Sequence, residues 1–348
     1  MIKLTQAQIL GAIIAYLLGV FIVPIVIYFS DKAGLVDVPN ERKIHHGKIS
    51  RLGGVAIWLS IMLTFLSLVL LSQYPSGQLL SGIIAGGSLM FLLGLVDDIF
   101  CLDAKFKLFI QIAIATTVIL LGVRIESIYI PFSNPVELGF WSYPISLLWI
   151  VGISNAINFI DGIDGLAGSI VTISSFAIGI IAMVVTPALP IPALVAFILL
   201  GAMLAFLTYN YNPAKIFMGD SGALYAGFLL ATLSITGVAK TSGHLMYLPL
   251  LILAVPMLDV AYSSIRRIMK GQSPFVADSE HIHHKLLHAG LSQDAAVLLL
   301  ASVSFACAII AILIAGSLSK YYIFAIAVIL ILFILNIVSK SIKKRPEE

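Results

Sequence analysis

The sequence predicts an all-α, polytopic integral membrane protein: a single domain over residues 1–348 with about eleven transmembrane helices. Apolar runs of roughly 20 residues, the length that crosses a bilayer as a helix, recur from end to end. Charged residues make up only 11% of the chain, and the mean hydropathy is +1.08. A soluble chain of this length would often divide into two domains, but these runs favour one membrane bundle.

The predicted spans follow one another with short connections. They lie near 7–29, 53–72, 79–96, 108–123, 143–160, 166–186, 191–208, 221–238, 245–265, 295–316 and 321–338. The first is predicted as a retained helix rather than a cleaved signal peptide, because its apolar run is too long and no small-residue cleavage site follows. Between the fourth and fifth spans, alternating apolar residues interrupted by Pro131 and Pro135 favour a small hairpin or loop.

The basic residues assign the two sides of the membrane. If the segment 31–52 is cytoplasmic, every Lys and Arg falls on that side except Lys3, Arg124, Lys240 and Lys320. The positive-inside rule then places the N-terminus outside and the C-terminus in the cytoplasm. The cytoplasmic side also receives every acidic cluster and all but one of the histidines, so we expect the chemistry there.

Four short acidic clusters stand at the ends of membrane-length apolar runs or inside one, and two of them are the Asp97-Asp98 pair and Asp220. Asp97 and Asp98 close the third span, either as a metal or proton-transfer pair or as a topological stop that caps the next helix. Asp220 precedes the eighth span within Gly-Asp-Ser-Gly. It is a candidate N-cap, and equally a candidate metal ligand beside the positive end of a helix.

A polar series begins in the last part of the fifth span and continues beyond it. Asn155, Asn158, Asp161 and Asp164 recur every third residue, and a helix would place them along one flank. Polar groups at membrane depth must face the bundle interior or a wet cavity. The alternative is a polar contact between two helices followed by a glycine turn.

Three histidines, His281, His283 and His284, lie in the longest predicted cytoplasmic loop with several basic residues. Binding of phosphate or sugar hydroxyls fits this composition better than a zinc site, because no cysteine accompanies the histidines. A basic loop lying on anionic lipid headgroups is the remaining alternative. Asp259 and Arg266 share one face of the ninth span, which indicates a structural ion pair.

Six segments occur in order between residues 51 and 292 on the predicted cytoplasmic side: RLGG (51–54), LGLVDD (93–98), NAINFIDGIDGLAG (155–168), NPAKIFMGDSG (212–222), PMLDVAYSSIRR (256–267) and HIHHKLLHAGLS (281–292). Together they resemble the polyprenyl-phosphate N-acetylhexosamine-1-phosphate transferases, and in particular the bacterial undecaprenyl-phosphate GlcNAc-1-phosphate transferase branch. The phospho-MurNAc-pentapeptide transferases of that family carry Pro-Thr-Met-Gly-Gly where this chain has SRLGG, and a three-histidine run where it has HIHH.

The resemblance implies transfer of an N-acetylhexosamine-1-phosphate, with GlcNAc-1-phosphate favoured, from a UDP-sugar to undecaprenyl phosphate. UMP is released, and the product starts a cell-envelope glycan such as O-antigen, common antigen or a teichoic acid linkage. Mg²⁺ is the implied cofactor, with Mn²⁺ as its substitute. The implied site residues are Asp97, Asp98 and Asp161 for catalysis; Asp220 and Asn158 for the metal; Asp164, Asn210 and Phe217 for the nucleoside; and Lys107, His281, His283 and His284 for phosphate and sugar.

Several alternatives stay open at this level. The acceptor phosphate attacks directly, or an aspartyl-phosphate forms first. A phospho-MurNAc-pentapeptide transferase and, with less support, a secondary transporter are the competing functions. We expect a bacterial cytoplasmic membrane protein that binds no nucleic acid, and a homodimer is left open.

Overall fold

The computed structural model describes residues 6–37, 49–71, 77–128, 136–185, 190–239, 247–271 and 281–316, most of them helical. The helices are α1 (Gln6–Ala33), α2 (Gly53–Leu70), α3 (Gln78–Phe100), α4 (Ala104–Leu120), α5 (Ser142–Ile160), α6 (Leu166–Val185), α7 (Pro190–Asn210), α8 (Gly219–Ser234), α9 (Tyr247–Ile252), α10 (Ala254–Met269), α11 (Ile282–His288) and α12 (Gln293–Ala315). A 3-10 turn (Gly139–Trp141) precedes α5, and a π-helical turn (Ile235–Ala239) continues α8.

The predicted all-α membrane class is confirmed. Within the described ranges, eight helices are long and apolar enough to cross a membrane: α1, α2, α3, α5, α6, α7, α8 with its π turn, and α12. The predicted fourth span corresponds to α4, which is slightly shorter at 17 residues. The predicted eleventh span, 321–338, lies outside the described residues. The total of eleven spans and the sides of the termini therefore stay predictions.

The ninth predicted span is two helices rather than one. The sequence predicts a continuous helix over 245–265, but α9 ends at Ile252 and α10 begins at Ala254. Pro256 is the third residue of α10, and proline has no N–H to donate to the carbonyl of Ile252 one turn earlier. The missing hydrogen bond explains why the helix is interrupted at this position.

Helix α10 is polar on its buried side and apolar on its exposed side. Asp259, Ser263 and Arg267, four residues apart, are buried. The exposed side carries Leu258, Tyr262, Ile265, Ile268 and Met269. This is the reverse of a helix on the surface of a soluble protein, and it suits a helix that meets lipid on one side and a polar interior on the other.

Helix α8 is the centre of the bundle. Its residues from Ser221 to Ser234 are all buried, and it packs against α2, α3 and α5. A Cβ at Gly94 of α3 would lie 2.5 Å from the backbone oxygen of Asp220, and one at Gly54 of α2 would collide with the amide nitrogen of Gly222. These two glycines let α2 and α3 approach the start of α8 at backbone contact.

Two small antiparallel pairs of β-strands lie outside the helices. β3 (Ser127–Ile128) pairs with β4 (Val136–Glu137), in agreement with the hairpin predicted between the fourth and fifth spans. β1 (Val36–Asp37) pairs with β2 (Ile49–Ser50). Ser50 also bridges to the segment before α8, where its oxygen accepts a hydrogen bond from the amide of Phe217 at 2.8 Å. The chain before α2 is thereby attached to the chain before α8.

Candidate functional site

Four helix ends bring together four of the predicted site residues. Lys107, near the start of α4, places Nζ 2.7 Å from Oδ2 of Asp97 at the end of α3. The same ammonium group donates to Oδ2 of Asp220, the second residue of α8. Asn158, near the end of α5, donates from Nδ2 to that Asp220 oxygen at 3.2 Å. We call Asp97, Lys107, Asn158 and Asp220 the Lys107 cluster.

Asp98 has a different position from its neighbour Asp97. Its Oδ1 accepts a hydrogen bond from the amide of Asp220 at 2.8 Å, and its Oδ2 accepts one from the amide of Ser221 at 3.0 Å. Amides in the first turn of a helix have no partner within the helix, so a carboxylate there is stabilising. Asp98 thus caps α8 from another helix.

This arrangement corrects the N-cap interpretation of Asp220. Helix α8 begins at Gly219, and the residue in the N-cap position, Met218, makes no side-chain cap. Because Asp98 supplies the cap, the Asp220 carboxylate points instead to Lys107 and Asn158. Asp220 is therefore available for chemistry.

The polar series at the end of the fifth span is helical only in its first half. Helix α5 ends at Ile160, so Asn158 lies on it, whereas Asp161 and Asp164 lie in the turn before α6. The turn is completed by Gly165 at φ +78°, a conformation that side chains disfavour. The predicted single helical flank is therefore wrong for the two aspartates.

Asp161 lies at the end of α5, close to the acidic residues of the cluster. Burial, with the charges of Asp220 and Asp98 nearby, raises the pKa of the Asp161 carboxyl well above its ordinary value. The raised pKa extends the pH range over which the carboxyl is protonated, and the protonated form can donate a hydrogen bond.

The two polar residues predicted near the nucleoside are engaged with backbone groups. Asp164 accepts a hydrogen bond from the amide of Ala214 at 3.0 Å. Asn210, only 2% exposed, accepts from the amide of Gly165 at 3.1 Å and donates to the carbonyl of Ile216 at 2.8 Å. Both side chains hold the turn after α5 against the segment before α8.

Phe217 lies in that segment, two residues before α8, and is partly exposed. Both polar groups of its backbone, the N–H and the C=O, are hydrogen-bonded. Its amide donates to Ser50 and its carbonyl accepts from the amide of Gly53 at 3.0 Å. The RLGG motif thus has a structural explanation, since a side chain at Gly53 would collide with the Phe217 carbonyl.

A polar pair one turn deeper in the membrane was missed at the sequence level. Asn155 donates from Nδ2 to Oε1 of Gln111 at 2.6 Å, and Gln111 is completely buried. The pair joins α5 to α4. For Asn155, this is the polar contact between two helices that the sequence offered as the alternative. The available signal was a single glutamine in an apolar run, four residues after Lys107 and therefore on the same face of α4.

The histidines form a row of rings beside the end of α5. Phe159 stacks on His281 with ring centroids 5.7 Å apart, and His281 stacks on His283 at 5.8 Å. His284 follows, 4.3 Å from His283. The His283 ring contacts Gly162, next to Asp161, so the row adjoins the acidic turn.

His283 is buried with neither ring nitrogen hydrogen-bonded within the described residues. Burial, assisted by the neighbouring His284, lowers the pKa of His283 to about 4. The ring is therefore neutral at physiological pH.

The donor set of the Lys107 cluster fits a hard divalent cation such as Mg²⁺. Two groups with positive character, the Lys107 ammonium and the Asn158 amide, already converge on one Asp220 oxygen. A half-turn of the Asn158 amide would present its oxygen at the same point. In the part of the chain that the structure describes, no three His, Cys, Asp or Glu side chains form a cage. Mg²⁺ rarely needs one, because it is usually bound by one or two carboxylates together with substrate phosphates.

Comparison with known proteins identifies similar chains. Residues 80–238 match the family model described as glycosyl transferase family 4. The chain is 35% identical to the Bacillus subtilis (strain 168) protein named "Probable undecaprenyl-phosphate N-acetylglucosaminyl 1-phosphate transferase", over 93% of this chain and 90% of that protein. It is 32% identical to the Escherichia coli (strain K12) "Undecaprenyl-phosphate alpha-N-acetylglucosaminyl 1-phosphate transferase", over 88% and 82%.

A mycobacterial relative extends the comparison to another lipid. The Mycobacterium leprae protein named "Decaprenyl-phosphate N-acetylglucosaminephosphotransferase" is 32% identical, over 86% of this chain and 80% of its own length. The matched residues 80–238 contain the whole Lys107 cluster but not the histidine row.

Proposed function

This chain belongs to glycosyl transferase family 4, as a multi-pass bacterial membrane protein of the polyprenyl-phosphate N-acetylglucosamine-1-phosphate transferase group, and we propose that it transfers GlcNAc-1-phosphate from UDP-GlcNAc to undecaprenyl phosphate. The names of the relatives favour GlcNAc over phospho-MurNAc-pentapeptide. The observation that carries the proposal is the Lys107 cluster, a charged centre built from the ends of α3, α4, α5 and α8. The side chains of Lys107, Asp97 and Asp220 each keep part of their surface exposed there.

The reaction exchanges one diphosphate linkage for another. An oxygen of the lipid phosphate forms a bond to the β-phosphorus of UDP-GlcNAc. The bond from that phosphorus to the bridging oxygen breaks, and UMP leaves with the electron pair. The products are polyprenyl-diphospho-GlcNAc and UMP. Since substrates and products each contain one diphosphate linkage, the free-energy change of the reaction should be close to zero.

Positioning and charge neutralisation supply most of the catalysis in phosphoryl transfer. Lys107 binds a phosphate oxygen once substrate competes with Asp97 and Asp220 for its ammonium group. Asp97 then orients the lipid phosphate, or takes its proton. Asp98 holds Asp220 in place through the backbone of α8. Asp161, whose carboxyl pKa is raised, donates a hydrogen bond to a phosphate oxygen in its protonated form.

Asp220 and Asn158 would hold Mg²⁺, which on binding supplies positive charge to the diphosphate oxygens. Phe217 offers its partly exposed ring to the uracil, while Asp164 and Asn210 fix the backbone that presents it. The histidine row binds the sugar and the diphosphate. A two-step route through an aspartyl-phosphate would reveal itself as a trapped phospho-sugar enzyme that has released UMP.

The test is turnover by purified protein in lipid nanodiscs with undecaprenyl phosphate and Mg²⁺. UDP-GlcNAc, UDP-GalNAc and UDP-MurNAc-pentapeptide are supplied separately, and UMP and the lipid product are measured. We expect UMP release to be fastest with UDP-GlcNAc. Turnover of the pentapeptide substrate alone would overturn the sugar assignment, and no UMP from any UDP-sugar would overturn the enzymatic function.

A further inference from the structure

Asp259 on α10 takes part in no step of the reaction described above, yet it is tightly engaged. The residue is 1% exposed. Its Oδ2 lies 2.8 Å from Nδ1 of His281, and its Oδ1 accepts a hydrogen bond from the amide of Ile282 at 2.7 Å. Both oxygens therefore bind the start of α11, although 22 positions separate Asp259 from His281 along the chain.

The plane of the His281 ring is fixed by two further rings. Phe159 stacks on it at 5.7 Å with an interplanar angle of 28°, and His283 stacks on it at 5.8 Å with an angle of 2°. Phe159 directly follows Asn158, which contacts Asp220. The carboxylate of Asp259 thus orients a histidine that adjoins the Lys107 cluster.

A carboxylate at Nδ1 also selects the form of the imidazole ring. A carboxylate accepts hydrogen bonds but, when ionised, cannot donate one. It therefore requires the hydrogen of the neutral ring to be on Nδ1, which leaves Nε2 as an acceptor. A ring held in one plane and one tautomer needs no reorganisation when substrate arrives.

We propose that Asp259 is a positioning residue that holds His281 in the tautomer with hydrogen on Nδ1, so that Nε2 accepts a hydrogen bond from a hydroxyl or amide N–H of the UDP-sugar. The inference rests on the proposed function, because it takes His281 as a group that contacts that substrate. The competing explanation is structural: Asp259 caps α11 through Ile282 alone. The two explanations differ over Oδ2 of Asp259. Positioning requires this atom to accept a hydrogen bond from His281, whereas capping through Ile282 uses only Oδ1.

Replacing Asp259 by Asn separates them. The side chain of Asp259→Asn keeps an oxygen for the Ile282 amide and presents an NH₂ group to His281, which favours the opposite tautomer. We expect kcat/KM for UDP-GlcNAc to fall by roughly 100-fold or more, with a melting temperature close to that of the wild type. The same substitution at exposed Asp294, which keeps an oxygen for its hydrogen bond from Asn212, is the matched control and should leave kcat/KM unchanged. Wild-type activity of Asp259→Asn would overturn the proposal.

A double variant tests whether Asp259 acts through His281. In a His281→Ala background, Asp259→Asn should cause little further loss of kcat/KM, because the group that it orients is absent. A further loss of the same factor would overturn the proposal. If Asp259→Asn does not fold, the pair Asp259→Glu and Asp259→Gln replaces it. Glu should be the more active by at least tenfold, and equal activity would overturn the proposal.

A spectroscopic measurement is independent of turnover. With ¹⁵N-labelled histidine, the His281 signals are assigned by their loss in His281→Ala. The hydrogen should be on Nδ1 in the wild type and on Nε2 in Asp259→Asn, and an unchanged tautomer would overturn the positioning role. If the wild type releases no UMP, the proposed function fails, while this measurement still decides the role of Asp259.

Discussion

At the scale of single residues, the Lys107 cluster depends on one ammonium group held between two carboxylates. Lys107 lies between Asp97 and Asp220, and Asn158 approaches the same Asp220 atom. The ammonium group offsets the repulsion of the two carboxylates and stands where a substrate phosphate would bind. Each of these side chains should therefore affect the rate more than the fold.

Substituting Lys107 tests the electrostatic part of the site. Lys107→Gln should lower kcat by roughly 10²–10³-fold, because one preorganised positive donor is lost from the reacting phosphates. The rate of UMP release at saturating substrates measures the effect. Lys105→Gln, an exposed lysine on the same helix turn, is the control and should turn over normally. Equal effects of the two substitutions would refute a specific role for Lys107.

Phe217 tests the nucleoside contact. Its backbone hydrogen bonds to Ser50 and Gly53 survive the change Phe217→Ala, so the loop should keep its conformation. Loss of base stacking should raise the KM for UDP-GlcNAc by about tenfold with a smaller change in kcat. Phe305→Ala, at a partly exposed position on α12, controls for loss of an aromatic ring. An unchanged KM would remove the stacking role.

His283 predicts a dependence of stability on pH. Burial lowers its pKa to about 4 from an ordinary 6.5, so between these values the unfolded chain binds more protons than the folded one. Its contribution to stability is complete above pH 6.5 and is lost as the pH falls towards 4. Melting temperatures measured from pH 7.5 to 4.5 should therefore fall more steeply for the wild type than for His283→Gln. Parallel curves would contradict the burial argument.

At the scale of secondary-structure elements, glycines decide where helices meet. The apolar runs predicted most spans because a hydrophobic length of sequence is a local property. The close approach of α3 to α8 at Gly94 is not local, and neither is the capping of α8 by Asp98 from 122 positions away. The sequence could indicate that Asp98 is exceptional at membrane depth, but not which helix end it serves.

Gly94 is the direct test of that packing. In Gly94→Ala, the new Cβ would meet the backbone oxygen of Asp220 and the Cα of Ser221 at 2.5 Å, so α3 and α8 must separate. We expect a lower melting temperature and a large loss of UMP release. Gly152→Ala on α5 is the matched control. Its Cβ would meet no atom within 4 Å, and the better helix propensity of alanine should leave stability equal or about 1 kcal/mol higher.

At the scale of the whole molecule, the bundle gathers distant segments at one end of its helices. The order of the six motifs and their predicted side of the membrane indicated that they converge. The row of His281, His283 and His284 against the end of α5 could not be predicted from the sequence, because it depends on how α10 and α11 return to the bundle. The break near Pro256, in contrast, has a local signal in the proline itself. The apolar run continues through this proline, so the hydropathy pattern alone predicts an unbroken helix.

The orientation can be tested with the natural cysteines. Cys101 is exposed at the end of α3, next to Asp97 and Asp98, whereas Cys307 lies within α12. In a Cys307→Ser background, a membrane-impermeant maleimide added to intact cells should label Cys101 only after permeabilisation. Adding Lys3→Cys to the Cys101→Ser, Cys307→Ser chain should give labelling without permeabilisation. Labelling of Cys101 in intact cells would place the site on the outer face.

The central claim is that the Lys107 cluster is a metal-dependent phosphoryl-transfer centre, and the most direct measurement is UMP release as a function of Mg²⁺ concentration. The wild type and Asp294→Asn should be inactive after chelation and should recover with the same half-saturating Mg²⁺ concentration. Asp220→Asn should show little turnover at every Mg²⁺ concentration that supports wild-type activity. Full activity of Asp220→Asn, or wild-type turnover in the presence of excess chelator, would contradict the claim.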